Sequence, residues 1–540
     1  MAAEQYLFVG ILIIGAGLAK FAEEYRFPYP IPLIISGIVL GQLFPQQAFI
    51  ESIGIDFIAQ LTLAAVLFYA GLTLNIKELR LSIRSVLLLA TLGVLLTSVI
   101  AGVTILFFVA EIGATAFLIG AILSPTDPAA LFSVLETGGV RVKRKLFAIL
   151  EGEAVFNDAT SVVLVLTVFE PLVVTVLQQE PAFILIEFLL SMGLGVVIGF
   201  GVAYGVGWFL HVTGEDTNIS ILTAATPILA YGIGELFSLV LEGIGLPGVH
   251  PGALACVFTG IFMANAQKIG LDVLPQKSMR GVMKNVSFAF EIVVFILLGF
   301  TLDVAFLVTS EGTVISGIIV ALLVIFVARP ASVFMVTAAD RTMGVRDRFF
   351  LSWAGVKGVA SAALAAISVG IITEYQVTGY TDLSNNISSV VFIVLMISLV
   401  LQGLTTPILA RRLNLIEEAD LAEEISAHRN ATRHALLQLV DMYTEGKIPQ
   451  DLYSRMKAEL EEEIFRLEDE LRKLVADKRA REQELEIREQ LLSEKLNFLR
   501  TEYEGGRLSE TAYEDERREI EAEIEDVIMR LRLTKRGRNV

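Results

Sequence analysis

The sequence predicts an all-α polytopic membrane protein with about thirteen transmembrane helices, followed by a cytoplasmic domain of helical hairpins and coiled coil. The chain has 540 residues, of which 54% are hydrophobic, and a mean hydropathy of +0.67. These averages combine an apolar part, residues 1–410, with a part rich in Glu, Lys and Arg, residues 411–540. A spanning helix needs about 20 apolar residues, and the apolar part contains about thirteen such segments. They are 6–22, 29–45, 53–73, 83–109, 113–135, 145–175, 182–210, 218–240, 252–267, 284–306, 313–339, 347–373 and 386–410.

Basic residues divide the predicted loops into two alternating sets. One set contains Lys and Arg in every loop except 211–217, whereas the other set, which includes the N-terminus, contains neither. Loops with an excess of Lys and Arg remain cytoplasmic. The pattern therefore predicts an external N-terminus, a cytoplasmic C-terminus and an odd number of spans. The basic residues are Lys20, Arg26, Lys77, Arg80, Arg84, Arg141, Lys143, Arg144, Lys145, Lys268, Lys277, Arg280, Lys284, Arg341, Arg346, Arg348, Arg411 and Arg412.

Composition excludes several classes of protein. The net charge of −17 comes from an excess of acidic residues in both parts of the chain, which argues against binding to nucleic acid. A single cysteine, Cys256, cannot form an intramolecular disulfide. The sequence has no P-loop or metal-ligand cluster and only four His. We therefore expect that the protein is not an enzyme or an ATP-driven pump and that it binds no cofactor.

Three polar residues stand in the middle of the sixth predicted span. Glu153 and Asn157 are four residues apart and share one face of a helix, and Asp158 lies about 20 Å from Lys145 at 1.5 Å per residue. Ionisable groups at this depth are costly and are functional candidates by default. Asp158 has no obvious basic partner in its own helix, so it is the strongest candidate for direct function.

The preceding span contains two prolines on either side of a polar pair. Pro125 and Pro128 each remove a backbone donor, so the helix should break around Thr126 and Asp127. A broken helix in a membrane exposes carbonyl groups and helix ends that can bind an ion. A proline kink capped by Asp127 is the structural alternative.

Only two basic residues lie within the predicted spans, Arg329 and Lys357. Arg329 is a candidate partner for Glu153 in a buried ion pair, which would make Glu153 structural.

Four motifs together resemble one known family. The stretches SPTDPAAL, EGEAVFNDAT, FVARPASVF and SWAGVKGVASAAL, at residues 124–131, 151–160, 326–334 and 352–364, are similar to the sodium/proton exchanger branch of the monovalent cation:proton antiporters. The resemblance covers residues 1–410. It implies thirteen helices in two inverted repeats, a core domain that moves against a dimerisation domain, a homodimer, and unwound helices that cross at Thr126–Asp127 and near Gly355–Gly358.

The resemblance also implies roles for individual residues. Asp158 would carry both the proton and the cation, with Thr126, Asp127 and Asn157 beside it and Thr126 as a further Na⁺ ligand. An Asn-Asp pair implies one-for-one, electroneutral exchange. The remaining assignments are the structural ion pair Glu153–Arg329 and the support of the helix crossing by Lys357, Pro125 and Pro128.

Two positions depart from the family pattern. Ala154 stands where many relatives have Ser, which removes one side-chain oxygen, and Lys357 stands where many relatives have Arg. Lysine keeps the positive charge but lacks the bidentate guanidinium.

The predicted activity is exchange of Na⁺, or Li⁺, for H⁺ across a prokaryotic cytoplasmic membrane, for pH and sodium homeostasis. Hard cations prefer oxygen ligands, and a carboxylate that binds either a proton or a cation produces antiport by competition. A K⁺/H⁺ antiporter of the same fold is the alternative, and a cation channel is a further class that flux measurements would separate.

The second part of the chain contains an internal repeat with an offset of 60 residues. Tyr443 and Tyr453 of the first copy correspond to Tyr503 and Tyr513 of the second. Leucine spacing predicts one long helix over 450–504, shared by two helical hairpins. The alternatives are a solvated coiled-coil spacer and a regulatory or dimerising domain.

Overall fold

The computed structural model divides the chain into two compact units, Met1–Ile416 and Glu417–Val540. The residues whose structure is described are 2–25, 27–44, 55–74, 76–80, 82–108, 115–127, 131–132, 135, 142–169, 173, 181–213, 219–246, 248–265, 276–375, 380–415, 420–505, 507, 513–514, 516–517, 520–521, 523–524 and 527. Pro128 and the loop residues Arg26, Arg141 and Lys268, which enter the sequence predictions, lie outside these ranges.

Helices make up most of the described residues of the first unit. They are α1 (Ala2–Glu24), α2 (Pro30–Leu43), α3 (Ile55–Thr73), α4 (Ile76–Leu79), α5 (Ile83–Leu88), α6 (Val94–Phe108), α7 (Thr115–Ile122), α8 (Arg144–Leu164), α9 (Pro181–Thr213), α10 (Ile219–Glu242), α11 (Gly252–Ala264), α12 (Gln276–Phe300), α13 (Val304–Thr309), α14 (Glu311–Leu323), α15 (Arg329–Thr337), α16 (Val345–Trp353), α17 (Val359–Glu374), α18 (Tyr380–Ser398) and α19 (Leu404–Arg412).

Six helical segments within the described residues are long and apolar enough to cross a membrane. Further apolar helices are shorter, among them α2, α11 and α17. The chain is therefore an all-α, multi-pass membrane protein, whereas the count of thirteen spans stays a prediction. The six segments are Ile83–Phe108, Phe183–Thr213, Ile219–Glu242, Ser278–Phe300, Gly312–Thr337 and Asp382–Arg412.

Helices α2 and α12 touch backbone to backbone through a reciprocal pair of glycines. A Cβ atom at Gly37 would overlap the carbonyl oxygen of Ile296, and a Cβ atom at Gly299 would overlap that of Ile34. Small residues allow this approach, which replaces the hydrophobic driving force that helices lack in lipid. Helices α2 and α12 therefore form one interlocked pair.

A second interlocked pair has the same construction. In α3 and α11, Cβ atoms at Gly71 and Gly260 would overlap the carbonyl oxygens of Val257 and Phe68. Helix α12 also packs against α3, so α2, α3, α11 and α12 form a continuous group of helices.

In the described part of the first unit, four π-helical turns interrupt or extend the membrane helices, and two of them precede prolines. Val324–Ala328 leads into Pro330, and Leu399–Gly403 leads into Pro407. A proline inside a helix has no N–H and clashes with the carbonyl four residues earlier, which here lies inside the π-helical turn. The wider turn absorbs that clash without ending the helix. The other π-helical turns are Leu89–Gly93 and Val165–Phe169.

The second unit contains the helices α20 (Asp420–Thr444) and α21 (Gln450–Glu504), which pack against each other. Helix α21 has 55 residues and spans the range that leucine spacing predicts. Gly446 adopts φ +72° in the turn between the helices, a left-handed conformation that suits glycine at a helix end. The rings of Tyr443 and Tyr453 stack at 4.2 Å across this turn, and the matching pair in the second copy stacks at 4.5 Å.

Candidate functional site

Helix α8 holds three of the predicted site residues in the interior of the first unit. Every residue from Gly152 to Leu164 is buried. Glu153 and Asn157 have no exposed surface, and Asp158 is 7% exposed. Three polar side chains in one continuously buried helix need polar partners from other helices.

The first polar partners come from a break after helix α7, which precedes α8 in the sequence. Helix α7 ends at Ile122, and residues 123–127 leave the helical conformation, as the prolines predict. The amide of Asn157 donates to the Thr126 hydroxyl at 2.8 Å. Ser124 and Ser161 share a hydrogen bond of 2.9 Å. The break thus brings Thr126 and Asp127 to the face of α8 that carries Asn157.

A second break lies opposite the first. Helix α16 ends at Trp353, α17 begins at Val359, and the residues between them form an extended segment. The backbone N–H of Asp127 donates to the carbonyl of Val356 at 2.7 Å. The two unwound segments therefore meet directly, at the two positions for which the family resemblance predicts a crossing.

Charges at the crossing complement the helix ends. The ammonium of Lys357 donates to the carbonyls of Pro125 and Ser124, at 3.2 and 3.4 Å, at the C-terminal end of α7. The carboxylate of Asp127 lies against Gly358, the residue immediately before α17, where any Cβ atom would overlap it. A cation near the end of one helix and an anion near the start of the other stabilise both breaks.

The extended segment around Lys357 is anchored to α18 and the π-helical turn after it. The N–H of Lys357 donates to the Ser398 hydroxyl at 2.9 Å, and Ser398 donates to Gln402. The Gln402 amide in turn donates to the carbonyl of Trp353 at 2.8 Å. These bonds satisfy backbone groups that the break leaves without helical partners, as a membrane interior requires.

Glu153 and Arg329 form a buried ion pair. Arg329 Nη1 lies 2.5 Å from Glu153 Oε1, and the two side chains are 3% and 1% exposed. A Cβ atom at Gly355 would lie 2.8 Å from Arg329 Nε. The pair therefore supports α8 from the side of the second break.

Three buried side-chain oxygen atoms of α8 have no hydrogen-bond partner among the described residues. They are Glu153 Oε2, Asn157 Oδ1 and Asp158 Oδ1, and the last two belong to consecutive residues. Thr126 orients the Asn157 amide, and Asp158 is the next residue along α8. Carboxylate and amide oxygens are ligands of hard cations, and a carboxylate also accepts a proton. The arrangement can bind either species at Asp158.

Sequence reasoning omits one buried carboxylate near this site, Glu291 of α12. Its Oε2 accepts a hydrogen bond from the Tyr29 hydroxyl at 2.6 Å, and the residue is 9% exposed. Glu291 lies within the predicted span 284–306, so an acidic residue inside an apolar segment was the available signal.

The family model described as "Sodium/hydrogen exchanger, transmembrane" matches residues 9–412. The K⁺/H⁺ antiporter NhaP2 of Shewanella oneidensis is 27% identical over 67% of this chain, a match that spans 60% of that relative's length. The Na⁺/H⁺ antiporter ApNhaP of Aphanothece halophytica is 28% identical over a match that covers 81% of this chain and 80% of that relative's length. In the solved structures, the sodium proton antiporter MjNhaP1 of Methanocaldococcus jannaschii matches with a TM-score of 0.67 and 23% identity, covering 74% of this chain and 99% of that one.

The structural match shows that the membrane unit has the fold of that antiporter. The family match covers both helix breaks, α8 and the buried ion pair, and therefore includes every residue of the candidate site. The chain belongs to the sodium/hydrogen exchanger family.

Proposed function

We propose that the chain is a secondary antiporter that exchanges Na⁺, and also Li⁺, for H⁺. The observation that carries the proposal is the position of Asp158, a buried carboxylate with one free oxygen next to two crossed helix breaks. A proton and a cation compete for that oxygen, so each transport direction carries one of them. Membership in the sodium/hydrogen exchanger family supports the same reading.

Each predicted residue has a role in this proposal. Asp158 carries the proton and the cation, and Thr126, Asp127 and Asn157 supply or orient oxygen ligands around it. Glu153 and Arg329 hold α8 in place. Lys357, together with Pro125 and Pro128, maintains the helix crossing.

The charges at the crossing favour one-for-one exchange. Its described residues contain three carboxylates, Asp127, Glu153 and Asp158, and two cationic groups, Arg329 and Lys357. With all five ionised the cluster carries one net negative charge, which one proton or one monovalent cation neutralises. Buried net charge is strongly unfavourable, so the protein should move between its states with one of the two bound.

K⁺/H⁺ exchange is the second candidate. The NhaP2 relatives are K⁺/H⁺ antiporters, and their match includes two thirds of this chain. Na⁺ and K⁺ both take oxygen ligands of the kind that Asp158 and Thr126 offer, so the donor types favour neither ion.

The surrounding organisation follows from the sequence pattern. We propose thirteen spans with an external N-terminus, a cytoplasmic C-terminus, a homodimer in the cytoplasmic membrane, and a cytoplasmic tail that begins near residue 411. The alternating Lys and Arg content of the loops supports the orientation.

Purified protein in liposomes with an entrapped pH dye tests the function. An outward proton gradient should collapse when Na⁺ or Li⁺ is added, and parallel runs with K⁺ decide between the two candidates. Electroneutral exchange requires that clamping the membrane potential leaves the rate unchanged. Cation flux that continues without a counter-ion would indicate a channel and refute the proposal.

A further inference from the structure

Glu291 and Tyr29 form a buried polar pair that the proposed exchange mechanism does not use. The hydroxyl of Tyr29 donates to Glu291 Oε2 at 2.6 Å. The Tyr29 ring lies against Phe288 and Phe295, with centroid distances of 5.6 and 6.2 Å. These two rings come one turn before and one turn after Glu291 on the same face of α12. The packing therefore fixes the hydroxyl, and the hydroxyl fixes the carboxylate.

Glu291, like Asp158, lies in the interior of a membrane helix. Glu291 is fifteen residues from the start of α12, about 22 Å along the helix, and Asp158 is fourteen residues from the start of α8, about 21 Å. Both helices are predicted to begin at the cytoplasmic side. An ionised carboxylate within a membrane helix is costly unless a cation or a proton compensates its charge.

Electrostatic interactions connect Glu291 through Asp127 to Asp158. Glu291 and Tyr29 are both within Coulombic range of Asp127, and Asp127 is within range of Asp158. Among the described residues, Tyr69 of α3 also interacts electrostatically with Glu291. Glu291 belongs to the α2–α12 pair that glycines interlock, whereas Asp127 belongs to the helix crossing. Helix α12 packs against α17, and the Asp127 carboxylate lies against Gly358 immediately before α17, so Glu291 and Asp127 belong to neighbouring parts of the fold.

We propose that Glu291, oriented by Tyr29, is a cation-attracting carboxylate that forms a waiting position for the transported monovalent cation between itself and Asp127. The cation passes from this position to Asp158. The inference rests on the proposed antiport function and adds a cation-binding residue to it.

The test compares Glu291→Gln and Glu291→Asp in the liposome assay, with the cation concentration varied at several pH values. Gln keeps the size and the hydrogen bond from Tyr29 but cannot carry charge. The cation concentration for half-maximal exchange should rise about tenfold in Glu291→Gln at alkaline pH, equivalent to about 1.4 kcal/mol. The difference should shrink as pH falls, because the wild-type carboxylate then becomes protonated too. Glu291→Asp keeps the charge and should remain closer to the wild type.

A matched control is Glu235→Gln in α10. Glu235 is another acidic residue within a membrane helix, and its electrostatic neighbours are Tyr231 and Cys256. The same substitution there should leave the half-maximal cation concentration unchanged.

Several outcomes would overturn the inference. One is an unchanged half-maximal cation concentration in Glu291→Gln at every pH. Another is a rise in that concentration that is independent of pH and equal in Glu291→Gln and Glu291→Asp. The third is a lower maximal rate with no change in the half-maximal concentration. If Glu291→Gln does not fold, Tyr29→Phe carries the test, and it should raise the half-maximal concentration in the same direction; no change would refute the pair's role. Failure of the antiport proposal is recognised separately, by a wild-type protein that moves no protons in response to any cation.

Discussion

Removing Arg329 should destabilise the folded protein more than removing the charge at Asp158. In the native structure Arg329 Nη1 lies 2.5 Å from Glu153 Oε1, and water reaches neither side chain. Arg329→Ala leaves Glu153 ionised without its partner, or forces it to take up a proton. Asp158→Asn instead replaces a carboxylate by a neutral group of equal shape, which burial favours.

The size of the effect follows from this burial. Breaking a buried pair by deleting one partner costs about 3–5 kcal/mol, whereas replacing both partners by neutral groups is often close to neutral. Arg329→Ala also leaves a cavity beneath Gly355, where the guanidinium packs. We therefore expect Arg329→Ala at the upper end of that range, and Glu153→Gln with Arg329→Met to recover much of the loss.

The measurement is the thermal unfolding midpoint of purified protein in detergent, together with the yield of monodisperse protein. Lys145→Ala is the matched control, because Lys145 forms an ion pair with Asp340 at 3.8 Å in the same unit but is 36% exposed. An exposed pair contributes about 0–1 kcal/mol, so the control should change little.

One result would refute this reasoning. If the double variant is no more stable than the worse single variant, Glu153 and Arg329 do not depend on each other. Equal losses in Arg329→Ala and Lys145→Ala would show that burial of the pair does not matter.

Three further predictions use the same preparations. Asp158→Asn should fold normally but lose cation-driven proton movement by more than about a hundredfold, and substantial exchange by the pure variant in liposomes would contradict its role. Truncation after about residue 415 should leave an active transporter with a changed dependence on pH or cation concentration, since all candidate ligands precede residue 411; superimposable curves would exclude regulation by the tail. Burial alone would raise the pKa of Asp340, but hydrogen bonds from Thr342 and Ser85 and the charge of Lys145 lower it to about 2. The ionised form is thus favoured on folding, so Asp340→Asn should lose about 1 kcal/mol at neutral pH, discounted for partial exposure. That difference should disappear as pH falls from 3.8 towards 2, and a loss that persists in acid would contradict the pKa explanation.

Much of the membrane fold follows from the sequence because lipid leaves few options. Backbone groups must be satisfied within a segment, so an apolar run such as 83–109 becomes a helix, here Ile83–Phe108. Prolines at 125 and 128 predict where the fifth span stops being helical, and α7 ends at Ile122. The family assignment from four motifs is confirmed by the match over residues 9–412.

Other features depend on contacts that a single sequence does not reveal. The residues 354–358 contain no proline, and only the family resemblance predicts that they unwind. Their conformation is held by Lys357, Ser398 and Gln402, which are distant in sequence. The close approach of α2 and α12 likewise becomes visible only when Gly37 and Gly299 are seen facing carbonyl oxygens.

The sequence predicts candidate site residues, and their roles stay predictions, but it does not predict their geometry. Spacing along α8 shows that Glu153 and Asn157 share a face, yet nothing in the sequence states that Asn157 donates to Thr126. Glu291 lies inside a predicted apolar span, which is a signal in the sequence, but its partner Tyr29 is 262 positions away and is identified only by the structure.

The bond from the Asp127 N–H to the Val356 carbonyl has a consequence for experiments on this protein. It joins main-chain atoms, so exchanging either side chain leaves it in place. A complete alanine scan would therefore rank both positions by their side chains and report nothing about the link between the two segments. An amide-to-ester replacement at residue 127, introduced with a hydroxy acid, removes the single hydrogen atom concerned and leaves the carboxylate intact. Chemical editing of the backbone is thus the direct way to weigh this contact.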